Sequence, residues 1–412
     1  MKKILSLVLA LMLVLALALP AMAEEQVTMT WLHHFLEEPL QKWVEGRVAA
    51  FEEAHPNVKI NIEVVNTDVY LNTLKMKIAA DDAPMIFDLD NNTYLQEFVE
   101  AGHIYCVDGM DYYNNIDPGL QRECQIDGVN YGSTISTCSY NCWYNKTLFE
   151  EHGLEVPKTR EEYIALCDKL MELGITPISA AFAERWCLLQ EFNPYYLNYC
   201  WKDDFDFCAD KVSGKLSFSD DQRVKDAFTE FMSTSKYWGD DPFGTSYDDA
   251  CMAVANGEAA MINNGSWILA KLQGYNPDAE FGAFAIPTEK LGDQMIMRPG
   301  SVQCVYNTQD ETLLKYALEL TSDLFSIESG TAFASGAMQI SSVNGVDYSF
   351  SPCLQSVVDY DPEHKWSYGG FQRWNNEYED LWANTVQAFA LDGNTDADAL
   401  CAELDAQFST MK

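Results

Sequence analysis

The sequence predicts an α/β protein of two domains, and three observations predict it. Residues 27–102 read strand, helix, strand, helix, strand, helix, the sign of a mostly parallel sheet covered by helices. The chain has 412 residues, and 389 remain once a 23-residue leader is set aside, too many for one compact core. No repeat and no low-complexity linker divides it, so the path between domains reads as several strand crossings, not one tether.

Lys2 and Lys3 open the leader; its apolar run Ile4–Leu19 ends at Pro20 before Ala21-Met22-Ala23, a small-x-small cleavage pattern. The run is short for a membrane span, no cysteine follows it to take a lipid, and cleavage is expected before Glu24. Val27–Trp31 is a strand that leads into His33-His34-Phe35. Pro39 opens a helix with Leu40, Trp43, Val44 and Phe51 on one side. Pro56-Asn57 turns the chain into the alternation Val58, Ile60, Ile62, Val64. Residues 68–80 are helical, Pro84 precedes the strand Met85–Leu89, and Asp90-Asn91-Asn92 forms a turn and cap. Gly102 closes the helix Tyr94–Ala101. Residues 128–144 are strand-rich, and Gly153 ends a short helix, Lys146–His152. Thr159-Arg160-Glu161-Glu162 is a capping box for a helix that Gly174 stops. Ile175–Ala180 is extended, and Arg185-Trp186 leads into an aromatic stretch of Phe192, Tyr195, Tyr196, Tyr199 and Trp201. A further helix follows Asp220.

Tyr247–Ala255 has helical spacing, with Ala250, Cys251 and Val254 on one face and Gly257 as a left-handed cap. Glu258–Asn263 reads as a buried strand, Asn264-Gly265 as the turn, and Ser266 as the N-cap of a helix starting at Trp267. That corner brings an indole and free backbone N–H groups to one spot, able to stack on a sugar face and bind a hydroxyl. A core strand with a packed aromatic fits the same residues. Phe281–Ile286 and Val302–Asn307 are strands, Arg298-Pro299-Gly300-Ser301 a break, and Asp310–Ser326 a helix. Residues 338–352 are loop-like, and Phe371–Leu391 and Ala397–Phe408 are helical.

The net charge of −37, or −39 without Lys2 and Lys3, repels nucleic acid and anionic lipid. Apolar residues at 48% and aromatics at 13% are enough to fill cores, which excludes disorder. The twelve cysteines are scattered through apolar faces, so many are expected to be buried thiols in spite of export. Cys138-x-x-x-Cys142 has no second pair at zinc spacing.

An ordered set of segments then carries a resemblance. Phe51-Glu52-Glu53-Ala54-His55-Pro56-Asn57-Val58, Ala83-Pro84-Met85-Ile86-Phe87, Tyr131-Gly132, Tyr144-Asn145-Lys146-Thr147-Leu148-Phe149 and Thr159-Arg160-Glu161-Glu162 follow one another in family order. Gly257-Glu258-Ala259-Ala260-Met261, Gly265-Ser266-Trp267 and Phe281-Gly282 to Pro287 complete the set. Met85 stands where Asp is usual, and Arg160 where Trp is usual. The chain resembles the extracellular solute-binding proteins of ABC sugar importers, the group that includes maltose-binding protein. The resemblance implies a periplasmic-binding-protein-like fold: two α/β lobes, each a mostly parallel sheet flanked by helices, closing by a hinge on a ligand in the cleft. The lobes are expected at residues 24–135 plus 301–340 and 136–300 plus 341–412, with crossings near 134–139, 298–302 and 338–345.

A sugar needs flat aromatic platforms and short polar groups that both donate and accept. Trp267 is the first platform and Trp186 the second. Trp374 and Trp382 come from the family's aromatic position on the penultimate helix, although with Tyr378 they are spaced four apart as a core stripe would be. For hydroxyls the candidates are Asp90, Asn91, His34, Arg298 and Ser266, with Glu37 and Tyr140 behind them. His33 and His34 should point to opposite sides, with His34 toward the cleft. Asp392, Asn394, Asp396, Asp398 and Glu403 fall at calcium-loop positions, but Ala397 replaces the required Gly and Thr395-Asp396-Ala397-Asp398 reads as a capping box. Neither a metal nor a cofactor is expected.

The reading is a non-enzymatic, monomeric receptor, exported outside the cell or to a periplasm, that captures a sugar or oligosaccharide and hands it to a membrane permease. A secreted carbohydrate-active hydrolase stays open, since acids are abundant enough to supply a catalytic pair; no G-x-S-x-G or H-E-x-x-H signature is present. A binding protein for a cationic solute such as a polyamine stays open on the same excess of acids.

Overall fold

The computed structural model describes residues 26–411 apart from 36, 90, 91, 117, 122, 123, 205, 368–373 and 375. Among the described residues fourteen strands run in chain order. The first six are β1 (Val27–His33), β2 (Val58–Val64), β3 (Ile86–Leu89), the small hairpin β4 (Gln125–Ile126) and β5 (Val129–Asn130), and β6 (Ser133–Thr134). Then come β7 (Ser136–Asn145), β8 (Thr176–Ile178), β9 (Ala259–Gly265), β10 (Phe281–Phe284), β11 (Met295–Pro299), β12 (Val302–Val305), β13 (Ile340–Ser341) and β14 (Lys365–Ser367). They make two main sheets, one in each lobe of an α/β fold: β2-β1-β3-β12-β6, and β14-β11-β7-β9-β8 with β10 and β13 also on β7.

In the first sheet β1 pairs parallel with β2 and with β3, as the β-α-β alternation requires, because a helix carries the chain back each time. One face packs Met29 and Trp31 against Leu40, Trp43 and Val44 of helix Glu38–Ala54. The other packs Leu32 and Phe87 against Tyr70, Leu74 and Phe98. Trp31 and Phe87 are fully buried, each worth about 1.5–3 kcal/mol of transfer free energy.

The second sheet corrects the expectation of a mostly parallel sheet in each lobe. Only β8–β9 and β11–β14 are parallel, whereas β9, β10, β11 and β13 all pair antiparallel to β7. The cause is β7 itself, a ten-residue strand that leaves the crossing and serves as the sheet's axis, so strands returning to the crossing must run against it. Tyr140 and Cys142 face helices Arg160–Glu172, Arg185–Cys200 and Gln222–Met232, while Trp143 and Ile262 face helices Tyr247–Ala255 and Ile268–Tyr275.

The chain passes between the sheets at Ile135, at Gly300-Ser301 and before β13. These segments lie side by side: the Gly300 amide donates to Ser136 O at 2.8 Å and the Ser342 amide to Ile135 O at 2.9 Å. A Cβ on Gly300 would stand 2.2 Å from Ser136 Oγ and 3.2 Å from Ser136 O, so a side chain here requires the serine hydroxyl to rotate and its backbone to give way.

Several local readings hold. The capping box is complete, Thr159 Oγ1 accepting from the Glu162 amide and Glu162 Oε2 from the Thr159 amide. Gly257 has φ +79°. Of the twelve cysteines, ten are buried, Cys353 is half-buried and Cys106 exposed, and all are free thiols. Others differ. The aromatic stretch is one helix, Arg185–Cys200, buried around most of its circumference and with Pro194 inside it, so no apolar stripe betrays it. The break at 298–301 shrinks to Gly300-Ser301, because Arg298 and Pro299 extend β11.

Candidate functional site

The crossing ends of both sheets define where a site can form. In the second lobe, β9 ends at Gly265, opposite Tyr140 of β7, and Tyr140 in turn faces Ile296 of β11. Helix Ile268–Tyr275 starts directly after Trp267, so the indole emerges at the sheet end. Trp267 is half-buried, and its ring folds back over Gly265: a Cβ at 265 would lie 2.0, 2.1 and 2.5 Å from Cζ3, Cη2 and Cε3. The Tyr140 ring meets Trp267 edge-on, with centroids 6.3 Å apart and planes at 89°. Trp186, in the first turn of helix Arg185–Cys200, stands 6.4 Å from Trp267 at 54°. Arg298 reaches in from β11 with its guanidinium carbon 5.8 Å from the Tyr140 ring centre, a cation–π contact. Thus Trp267, Trp186 and Arg298, three residues far apart in sequence, converge with Tyr140.

Tyr247 completes the group and was missed by the sequence reading. Its ring stands edge-on to Trp186 at 4.9 Å, and the Lys271 ammonium lies 4.7 Å from its ring centre. Its backbone amide donates to Glu184 Oε2 at 2.9 Å, tying two helix starts together. Burial pushes the phenol well above its usual pKa, with the Cys251 thiol and then the Glu37 carboxylate adding to the effect. Glu37 belongs to the first lobe, so Tyr247 lies within electrostatic reach of it. The only sequence signal here was the helical spacing from Tyr247, which says nothing of a site. Trp366 of β14 was missed as well; it pairs with Ile296 in the same row as Tyr140, and its indole N–H donates to Asn198 Oδ1 at 3.0 Å.

In the first lobe the consecutive histidines diverge. His33 is fully buried, its Nδ1 accepting from the Phe35 amide at 3.2 Å, and burial followed by the neighbouring His34 lowers its pKa to about 4, so it is neutral. His34 follows the end of β1, partly exposed, with its imidazole paired to the buried Asp88. The Tyr70 ring packs 5.1 Å from it, and the Tyr70 hydroxyl accepts from the Asp88 amide at 3.0 Å. Asp90 and Asn91 lie outside the described residues.

Three expectations need correction. Ser266 is fully buried and does not cap the helix; its Oγ accepts from the Ser139 amide at 3.3 Å, so it ties β9 to β7 and presents no hydroxyl to a guest. Trp382 is fully buried among Tyr196, Phe218 and Trp374, at 4.7, 5.4 and 5.3 Å. Trp374 is buried too, against Phe408 at 5.0 Å. Trp382 lies on helix Asn376–Leu391 and Trp374 precedes it, so no helical stripe joins the two; tertiary packing makes both of them core. At the calcium-like pattern, Asp396 Oδ1 accepts from the Ala399 amide, the bond of a helix cap.

The sequence model of bacterial extracellular solute-binding proteins matches residues 36–308. The multiple sugar-binding protein of Streptococcus mutans is 26% identical over 297 residues, 68% of this chain and 66% of that protein. An uncharacterized ABC transporter extracellular-binding protein of Pyrococcus horikoshii is 26% identical over 248 residues, 58% of this chain and 55% of that one. The chain thus spans less than two-thirds of the length of these curated relatives. Among solved structures, RafE in complex with raffinose superposes with a TM-score of 0.76 at 22% identity, covering 94% of this chain and 100% of its own, which shows a shared fold. The match to the sequence model takes in most of the chain, including both lobes' crossing strands β6, β7, β11 and β12: the chain belongs to the family of bacterial extracellular solute-binding proteins.

Proposed function

We propose that this protein is the sugar-binding receptor of an ABC importer, capturing a sugar or oligosaccharide between its lobes and delivering it to the membrane permease. The observation that carries this reading is the convergence of Trp267, Trp186 and Tyr140, with Arg298, at the crossing end of the second sheet. Indole faces bury the apolar side of a sugar, and charged groups at their margins take its hydroxyls. His34, paired to Asp88, supplies polar groups from the first lobe. The names of the Streptococcus mutans protein and of the raffinose complex support the same ligand class. The lobes comprise residues 24–135 with 301–340, and 136–300 with 341–412. The chain works as a monomer outside the cell or in a periplasm, exported by a leader cleaved before Glu24. Contacts to both lobes favour the closed form in proportion to their difference between closed and open states. Micromolar affinity corresponds to about −8 kcal/mol, within reach of two stacked rings and several hydrogen bonds.

Thermal-shift screening against a glycan panel tests the reading, since a ligand that binds only the native state raises the melting temperature. Trp267→Ala is expected to abolish most of that shift and to leave the free protein folded. A variant that responds like the wild type would remove Trp267 from the site.

A further inference from the structure

The two indoles of the site are not parallel. Trp267 and Trp186 have ring centres 6.4 Å apart and planes tilted by 54°. Each is braced by a separate element. Gly265 lies beneath the six-membered ring of Trp267, so β9 covers one indole face and a guest has to stack on the other. Tyr140 stands against the Trp267 edge at 89°. Tyr247 stands against Trp186 at 67°, and is itself held through its amide by Glu184. Trp267 is half-buried and Trp186 is 37% exposed, so the pair leads from an inner position outward to solvent.

A pyranose ring stacks with its mean plane parallel to the aromatic face, because its axial C–H bonds point into the negative π cloud. One ring cannot lie flat on two faces tilted by 54°. Two consecutive rings can, provided the glycosidic linkage turns one from the other by a similar angle. Successive rings of a flat β-1,4-linked ribbon keep nearly parallel mean planes, whereas those of a bent, α-linked chain do not. Building on the sugar-binding reading, we infer that the ligand is a bent oligosaccharide of at least two rings. Its inner ring stacks on Trp267 and its outer ring on Trp186, with the far end toward solvent.

Isothermal titration calorimetry on the mature protein tests this with maltotriose and raffinose as bent chains, cellotriose and triacetylchitotriose as flat chains, and glucose and galactose as single rings. A bent trisaccharide is expected to bind at least about tenfold tighter than the flat chains and the single rings, a difference of about 1.4 kcal/mol. Trp186→Ala should weaken the bent trisaccharide by about tenfold and a single ring by a clearly smaller factor. The melting temperature of the free variant, read in parallel, separates loss of contact from loss of fold. Tighter binding of the flat series, or an equal loss for trisaccharide and single ring in Trp186→Ala, overturns the bent-chain inference and leaves sugar binding standing. Failure of every sugar to bind, or full affinity in Trp267→Ala, overturns the sugar-binding reading and this inference with it.

Discussion

Gly265→Ala is the smallest change that tests whether the Trp267 platform is set by its neighbours. The added Cβ would lie 2.0–2.5 Å from three indole carbons, where ordinary carbon contacts are near 3.5–4 Å, so the ring must move by more than an ångström. Backbone strain plays no part, since Gly265 is absent from the glycines with positive φ. Overpacking of this kind costs about 1–3 kcal/mol, and a displaced indole forfeits about 0.5–1.5 kcal/mol of stacking on a bound ring. Ligand affinity should therefore fall by about two- to tenfold, with a shifted tryptophan emission spectrum and a lowered melting temperature. A double-mutant cycle gives the decision. In the Trp267→Ala background the clash has no partner, so Gly265→Ala should have little further effect on affinity or emission. Losses that add in the double variant, or a Gly265→Ala protein with wild-type affinity and emission, would refute the reasoning.

Other perturbations follow from buried groups and from the crossing. Glu191 is buried, its carboxyl accepts from Asn263 Nδ2 at 2.8 Å, and burial raises its pKa from 4.5 to about 7. The folded protein then binds the extra proton, so its contribution is complete below pH 4.5 and is lost as pH rises through about 7. Urea denaturation across that window should show stability falling by up to about 3 kcal/mol from this group, and Glu191→Gln should flatten the slope. Asp405 accepts from the Lys211 ammonium, from Ser217 Oγ at 2.8 Å and from the Phe218 and Ser219 amides at 2.9 Å, pinning the last helix. These hydrogen bonds, against the opposing cost of burial, hold its carboxyl well below the usual range, so its contribution is present above the unfolded pKa near 4 and is lost as pH falls through the folded value. Asp405→Asn should cost about 1–2 kcal/mol at neutral pH after allowance for solvent screening, with the difference shrinking in acid. Gly300→Val should separate the crossing strands at Ser136, lowering the melting temperature and altering the small-angle scattering change on ligand addition; an unchanged scattering response would show that the crossing is not the hinge.

Much of the fold was legible because its signals are local. The strand at Val58–Val64, the Thr159–Glu162 box and the glycine at 257 each act within a few residues and each appears where expected, although the strand's alternation buries only Val58 and Ile60 and leaves Val64 exposed. Helix Arg185–Cys200 was not legible, since a helix buried nearly all round has no period to read. The direction of the second sheet's strands was hidden for a related reason: it is decided by β7, whose partners come from segments more than a hundred residues away in sequence. The site divides the same way. Trp267 announced itself through its glycine-rich corner, whereas Tyr247 and Trp366 enter only through tertiary neighbours.

The Asn264–Trp267 corner shows how a local motif can mark the right place through side chains that act differently from their usual local roles. Glycine after asparagine ordinarily means a turn, and serine before a helix ordinarily means a cap. Here Gly265 is still strand, and what matters is its missing side chain, which lets an indole lie on the backbone. Ser266 spends its hydroxyl on the Ser139 amide of the neighbouring strand, which fixes the height at which the following residue leaves the sheet. Both substitutions for a local role serve one end, holding Trp267 at a set distance from Tyr140 and Trp186. A platform whose position depends on a glycine and a buried serine hydroxyl is rigid before any ligand arrives, so little ordering entropy is left to be lost on binding.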